Sequence, residues 1–211
     1  MNKKLIFIIF IFFAHITIEA SSADNKIADQ LKLYLRDIKS MEVDFIQKDS
    51  NLRGARGKLL ISKPHKFRCN YYPPFPLLIV GNKTYVSVYD YDMEQISIIK
   101  SAENIFNFLL EDEIDLTKDF DFESMQDDGK TLKITISHIA SERKSCITFD
   151  KHTKELKILE VIEDNNIITI TFDTPNKVRE FSNDLFNIKN PDIFGPPERL
   201  NKTDIEKKYK L

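Results

Sequence analysis

Residues 57–68, Gly-Lys-Leu-Leu-Ile-Ser-Lys-Pro-His-Lys-Phe-Arg, constrain the fold more than any other stretch. Leu59, Ile61 and Lys63 alternate with Lys58, Leu60 and Ser62, the period-two pattern of a strand, and the run meets a turn at Pro64. A second strand then carries Phe67, Cys69 and Tyr71 on one face. This hairpin follows a secretory-type leader and a single amphipathic helix. That order predicts an exported β-sheet protein curling around a helix.

The leader has three parts. Met1-Asn2-Lys3-Lys4 is a short basic region, residues 5–14 are almost continuously apolar, and Ala20, Ser21, Ser22 and Ala23 are small. This is the signal-peptide pattern, with an apolar core too short to favour a permanent span. The expectation is a cleaved signal peptide over 1–23. Cleavage after Ala20 competes with cleavage after Ala23, and an uncleaved anchor is the alternative. No Cys lies near the site, so no lipid attachment is expected there. A single domain over 24–194 and a charged C-terminal tail over 195–211 are expected to follow.

The formal net charge is −2, which gives no basic field for nucleic acid, so no nucleic-acid partner is expected. With Phe 16 and Trp 0, aromatic packing falls mainly to Phe. Cys69 and Cys146 form an even count in an oxidising compartment, which invites a disulfide. Parity argues the other way. Cys69 shares the apolar face of Phe67 and Tyr71, whereas Cys146 lies opposite Ile147 and Phe149, so two separate thiols are expected.

The periodicity changes along the chain. Ile27, Leu31, Tyr34, Leu35 and Ile38 have helical spacing, with Asp24 as expected N-cap, which predicts a helix over 25–38. Val43 and Phe45 begin a strand, and short strands follow over 77–80, from Tyr85 and over 94–99. A second helix is expected over 101–111, capped by Ser101. From Leu116 the pattern reads as an antiparallel meander, with turns at 127–130, 150–154 and 164–166. The fold class expected is mainly β with α, a barrel or strongly curved sheet.

Catalytic signatures are missing. His15, His65, His138 and His152 show no metal-ligand spacing, and no nucleophile elbow, zincin helix or phosphate-binding Gly loop is present. No enzyme activity, metal or cofactor is expected. An unrecognised hydrolase with a buried acidic pair is the reading from another class.

Several blocks together resemble a known family. They are Asp44-Phe45-Ile46-Gln47, then Gly57-x-Leu59-x-Ile61-x-Lys63-Pro64-x-x-Phe67-Arg68, then Val80-Gly81-Asn82-Lys83-Thr84-Tyr85-Val86. Met93-Glu94-Gln95-Ile96, Phe108-Leu109-Leu110 and Phe186-x-Ile188-x-x-Pro191 complete the order. This resembles the LolA family, periplasmic carriers of outer-membrane lipoproteins in Gram-negative bacteria. The resemblance implies an incomplete, half-open antiparallel β-barrel covered by a helical lid, with an apolar cavity between them. It implies a periplasmic monomer whose partners are acylated lipoproteins, an inner-membrane lipoprotein-releasing ABC transporter, and an outer-membrane lipoprotein receptor or the outer membrane itself. A relative with the same half-barrel that senses envelope state is the alternative within the fold.

The resemblance also implies roles for residues. Lys63 takes the position of a basic lid latch, where the family often has Arg. Lys keeps the charge and loses the planar fork. Cys69 stands where the family commonly has Trp. The lid helix presents Leu31, Tyr34, Leu35 and Ile38. The acyl-chain cavity is expected from Phe45, Leu59, Ile61, Phe67 and Tyr71 on the first strands. Ile105, Phe108 and Leu109 are expected from the second helix, and Ile134, Ile147, Phe149 and Ile158 from the meander.

Overall fold

A computed structural model describes residues 19–100, 109–111, 116–139, 142–163 and 166–199. The leader core, Ile105 and Phe108, the cap expected at Ser101, the turn residues 164 and 165, and residues 200–211 lie outside the described residues.

The chain enters through α1 (Glu19–Arg36), then runs β1 (Ser40–Lys48), β2 (Gly54–Ser62), β3 (Lys66–Tyr71), β4 (Leu77–Gly81), β5 (Tyr85–Asp90) and β6 (Gln95–Lys100). A one-turn α2 (Leu116–Asp119) precedes β7 (Phe120–Asp127), β8 (Thr131–His138), β9 (Lys144–Asp150), β10 (Leu156–Glu163) and β11 (Asn166–Phe172). Short β12 (Asn176–Lys177) and α3 (Pro191–Phe194) close the described chain. All pairings are antiparallel, and the order is β6-β5-β4-β3-β2-β1-β11-β10-β9-β8-β7, with β12 on β1. The first strand thus pairs with the last long one, while β6 and β7 remain as separate edges. That is an open half-barrel.

Three sequence boundaries shift. The helix begins at Glu19, so Asp24 lies inside it and is not its N-cap. Glu-Ala-Ser-Ser-Ala offers no Gly or Pro to stop a helix, so α1 runs back through it. It ends at Arg36 because the Asp37 and Ile38 amides donate to the Tyr34 and Leu35 carbonyls, tightening the last turn. Ile38 remains in the core although it is no longer helical. The meander expected from Leu116 starts only at Phe120, because 116–119 forms α2.

Two apolar cores lie on opposite faces of the sheet. On the concave face, Leu31, Tyr34, Leu35 and Ile38 pack with Ile134, Ile147 and Phe149. The Tyr34 and Phe149 ring centroids are 4.9 Å apart. On the convex face, Leu60, Leu78, Val80 and Tyr89 are covered by Phe181, Leu185 and Phe186 from the C-terminal segment. This double covering explains why residues 77–80 are all apolar: alternate residues serve different cores. The buried Arg68 secures the strap, donating to the carbonyls of Leu185 at 3.1 Å and Glu198 at 3.4 Å. Arg199 stacks 4.7 Å from the Tyr91 ring centroid, so the charged stretch after Gly195 is held against the convex face as far as Arg199.

Candidate functional site: an apolar cavity beside the Lys63 turn

Strand parity lines the concave face. Phe45 comes from β1, Leu59 and Ile61 from β2, and Phe67, Cys69 and Tyr71 from β3. Ile79, Val86, Val88 and Ile99 continue the wall across β4, β5 and β6. Leu159 and Val161 of β10, with Ile168, Ile170 and Phe172 of β11, form the other side. Leu109 and Leu110 reach in from the connection after β6. Together they enclose about 450 Å³. That lies in the ordinary range for sites that bury small apolar ligands, about 300–1,000 Å³.

Two glycines make room for this wall. A Cβ at Gly57 would meet the Asn70 carbonyl oxygen and lie 2.8 Å from the Phe45 ring. A Cβ at Gly81 would run into the Phe67 ring. Only hydrogen at these positions lets the two aromatic rings lie against the backbone.

Of the residues expected in the cavity, Phe45, Leu59, Ile61, Phe67, Tyr71 and Leu109 line it. Ile134, Ile147 and Phe149 do not. They are fully buried in the concave core that packs against α1 and face no open space. Ile158 is on the wrong face. A bulge between Leu156 and Ile158 inserts Lys157, so Leu156 pairs with Phe149 while Leu159 pairs with Ile147. Parity therefore flips along β10, and Leu159 and Val161 face inward in place of Ile158. The local sequence offered only a weak sign of this: Lys157 and Glu160 fall on opposite phases, so no single regular alternation fits residues 156–162. Leu31, Tyr34 and Leu35 of α1, and Ile38 just after it, pack in the core beside the cavity without lining it.

Lys63 stands at one end of this space. Its Nζ donates to the Leu35 carbonyl at 2.9 Å and the Glu111 carbonyl at 3.0 Å. One ammonium thus joins the C-terminal end of α1 to the segment carrying Leu109 and Leu110. The last carbonyls of a helix lack intrahelical partners and carry partial negative charge, so a cation suits this place. The next residues strengthen the grip. The His65 amide donates to the Leu110 carbonyl at 2.9 Å, and His65 Nδ1 is 3.1 Å from Glu111 Oε1.

The polar atoms of the wall are few. The Tyr71 hydroxyl donates to Gln47 Oε1 at 2.8 Å, and the Tyr71 ring meets Phe45 edge-on at 5.2 Å. Among the described residues, Arg143 is the single charged one lining the cavity. Burial pushes the Cys69 thiol up to about 12 and, as the main cause, also raises the Tyr71 phenol. Both cysteines are free, with Cys69 in the cavity wall and Cys146 on the opposite face near Thr135 Oγ1. A thiol near 12 is ionised at pH 8 to only about one part in ten thousand. Cys69 is therefore expected to resist iodoacetamide at pH 8 in the folded protein and to react readily in urea. Labelling of native Cys69 at the rate of the urea-unfolded thiol would show that the cavity wall is open to bulk water.

Among the described residues, no helix is long and apolar enough to cross a membrane. Comparison with known proteins places this architecture. The chain is 55% identical over 207 residues to an uncharacterized protein of Rickettsia prowazekii, covering 98% of this chain and 97% of that one. It is 27% identical over 198 residues to an outer-membrane lipoprotein carrier protein of Francisella tularensis, covering 89% and 94%. A solved structure of an uncharacterized conserved protein from Thermus thermophilus shares the fold at 9% identity, with a TM-score of 0.51 over 79% of this chain and 94% of that one. The family model described as "Outer membrane lipoprotein carrier protein LolA" matches residues 36–189, most of the chain, and the protein belongs to that family.

Proposed function

We propose that this protein is a periplasmic carrier that holds the acyl chains of outer-membrane lipoproteins. It takes them from an inner-membrane lipoprotein-releasing ABC transporter and passes them to an outer-membrane receptor or to the membrane itself. The observation that carries this reading is the apolar cavity of about 450 Å³ beside a turn whose Lys63 bonds two covering segments at once. An acyl chain exposed to water costs about 0.8 kcal/mol per CH₂, so a carrier needs apolar area of this kind. Phe, Ile, Leu and Val walls give affinity without direction, which suits chains of varied length. The family model is described as one of outer-membrane lipoprotein carriers, which supports binding in place of catalysis.

Displacement of a hydrophobic dye tests the reading. The purified protein is expected to bind the dye and release it to an acylated peptide, while the same peptide without the acyl group fails to compete. Equal competition by the two peptides would mean that the cavity takes polypeptide and not lipid.

A further inference from the structure

The polar atoms of the cavity are gathered at one end. Gln47 pairs with Ala55 across β1–β2, next to the connection between those strands, and with Ile170 on β11. Lys63 follows Ser62 at the other end of β2, roughly 26 Å from Ala55 at the usual rise of an extended strand. Arg143 belongs to the Gln47 end. The adjacent Lys144 pairs with Ile162, which pairs with Ile167 beside the β10–β11 connection.

Gln47 is held in a defined state. Its Oε1 accepts from the Tyr71 hydroxyl, which leaves the two Nε2–H donors for something else. Among the described residues, no further partner for the Gln47 side chain is present. The Gln47 side chain is half-buried and its Nε2 is not sealed from solvent, so water meets these donors in the empty cavity; a ligand that displaces this water leaves them unpaired unless it brings an acceptor. A hydrocarbon brings none. The carbonyl oxygen of an ester or amide does.

We propose that Gln47, oriented by Tyr71, anchors the carbonyl oxygen of a fatty-acyl ester or amide. The ligand then enters at the Gln47 end, keeps its acyl carbonyl there, and sends its tail toward Leu109 and the Lys63 turn. Arg143 supplies a positive charge on the carbonyl side of the ligand, where the partial negative charge of the acyl group lies. Tyr71 is a positioning residue: it turns the amide so that its N–H groups face the incoming oxygen. The inference rests on the carrier reading and adds to it a chemical requirement, that the chain carry a carbonyl at its proximal end.

Two probes that differ by one oxygen test this. One is a peptide bearing an O-palmitoyl serine ester, and the other is the same peptide bearing an O-hexadecyl serine ether. Both are titrated against dye-loaded protein. The native protein is expected to prefer the ester about 5-fold, the size of one net hydrogen bond. Gln47→Leu should bring that ratio to about one, because it removes the donor that favours the ester, whatever it does to the affinity for the ether. Tyr71→Phe should lower the ratio partway through loss of orientation, and it keeps the edge-on contact with Phe45. A native protein that binds ester and ether equally, or a Gln47→Leu variant that keeps the preference in a folded state, overturns the anchor and leaves the carrier reading standing. Failure of the native protein to bind either probe overturns both.

Discussion

Lys63→Leu is expected to keep binding acylated cargo while delivering it to an acceptor about one hundredfold more slowly. In the structure, the Lys63 ammonium bonds the Leu35 and Glu111 carbonyls. Bonds to a charged donor contribute about 1.5 kcal/mol or more each, so two together favour the closed arrangement by about 3 kcal/mol, a factor of about one hundred. On the carrier reading proposed above, the closed arrangement competes with cargo for the cavity. By linkage, weakening it tightens cargo binding by the same factor and slows release. Leu supplies similar bulk without a donor. The measurement is transfer from purified carrier–cargo complex to outer-membrane vesicles, compared with dye binding by the same preparation. Lys63→Arg serves as the control, because its fork can span the same two carbonyls. Transfer by Lys63→Leu at the native rate would remove the latch role.

The place of Lys63 was legible because a charge in phase with Leu59 and Ile61 demands carbonyls or a carboxylate. The hairpin, the antiparallel meander and the separation of the two cysteines were legible for the same reason: period-two patterning assigns faces directly. Legibility ended where both faces of a strand are apolar. In β4, Leu78 and Val80 serve the convex core while Ile79 serves the cavity, and the sequence offers no sign of which is which. In β10, the bulge at Lys157 exchanged Ile158 for Leu159 and Val161 through pairing with β9, an effect the local sequence signals only weakly. The convex strap was hidden for another reason. Residues 178–199 have little regular structure, and their apolar contacts follow no period. Gln47 entered only as part of the Asp44-Phe45-Ile46-Gln47 block; its role depends on Tyr71, distant in sequence and adjacent through the β1–β2–β3 register.

Phe149→Ala and Leu59→Ala separate core from cavity, two environments that a sequence alone renders as the same apolar stripe. Phe149 has no exposed surface, stacks against Tyr34 at a centroid distance of 4.9 Å, and pairs with Leu132 and Leu156 on its neighbouring strands. Removing its ring leaves a void beneath α1 that close-packed neighbours cannot fill, which costs about 3–5 kcal/mol. Small domains of this kind hold only about 5–15 kcal/mol in total, so the variant should melt roughly 10 °C lower and lose helix–sheet packing first. Leu59 is half-buried, and one side of it already faces empty space. Dispersion contacts that were never made cannot be lost, so truncation there should cost about 1–2 kcal/mol, near the transfer term alone. The two losses are read by urea denaturation of each variant, with dye binding measured alongside. Phe149→Ala should show a large stability loss with dye affinity nearly kept in the folded fraction. Leu59→Ala should show the reverse, a small stability loss with altered dye affinity, because the removed atoms belong to the wall that the ligand touches. Equal destabilisation at the two positions would mean that Leu59 is packed as tightly as Phe149 and that no open space lies beside it.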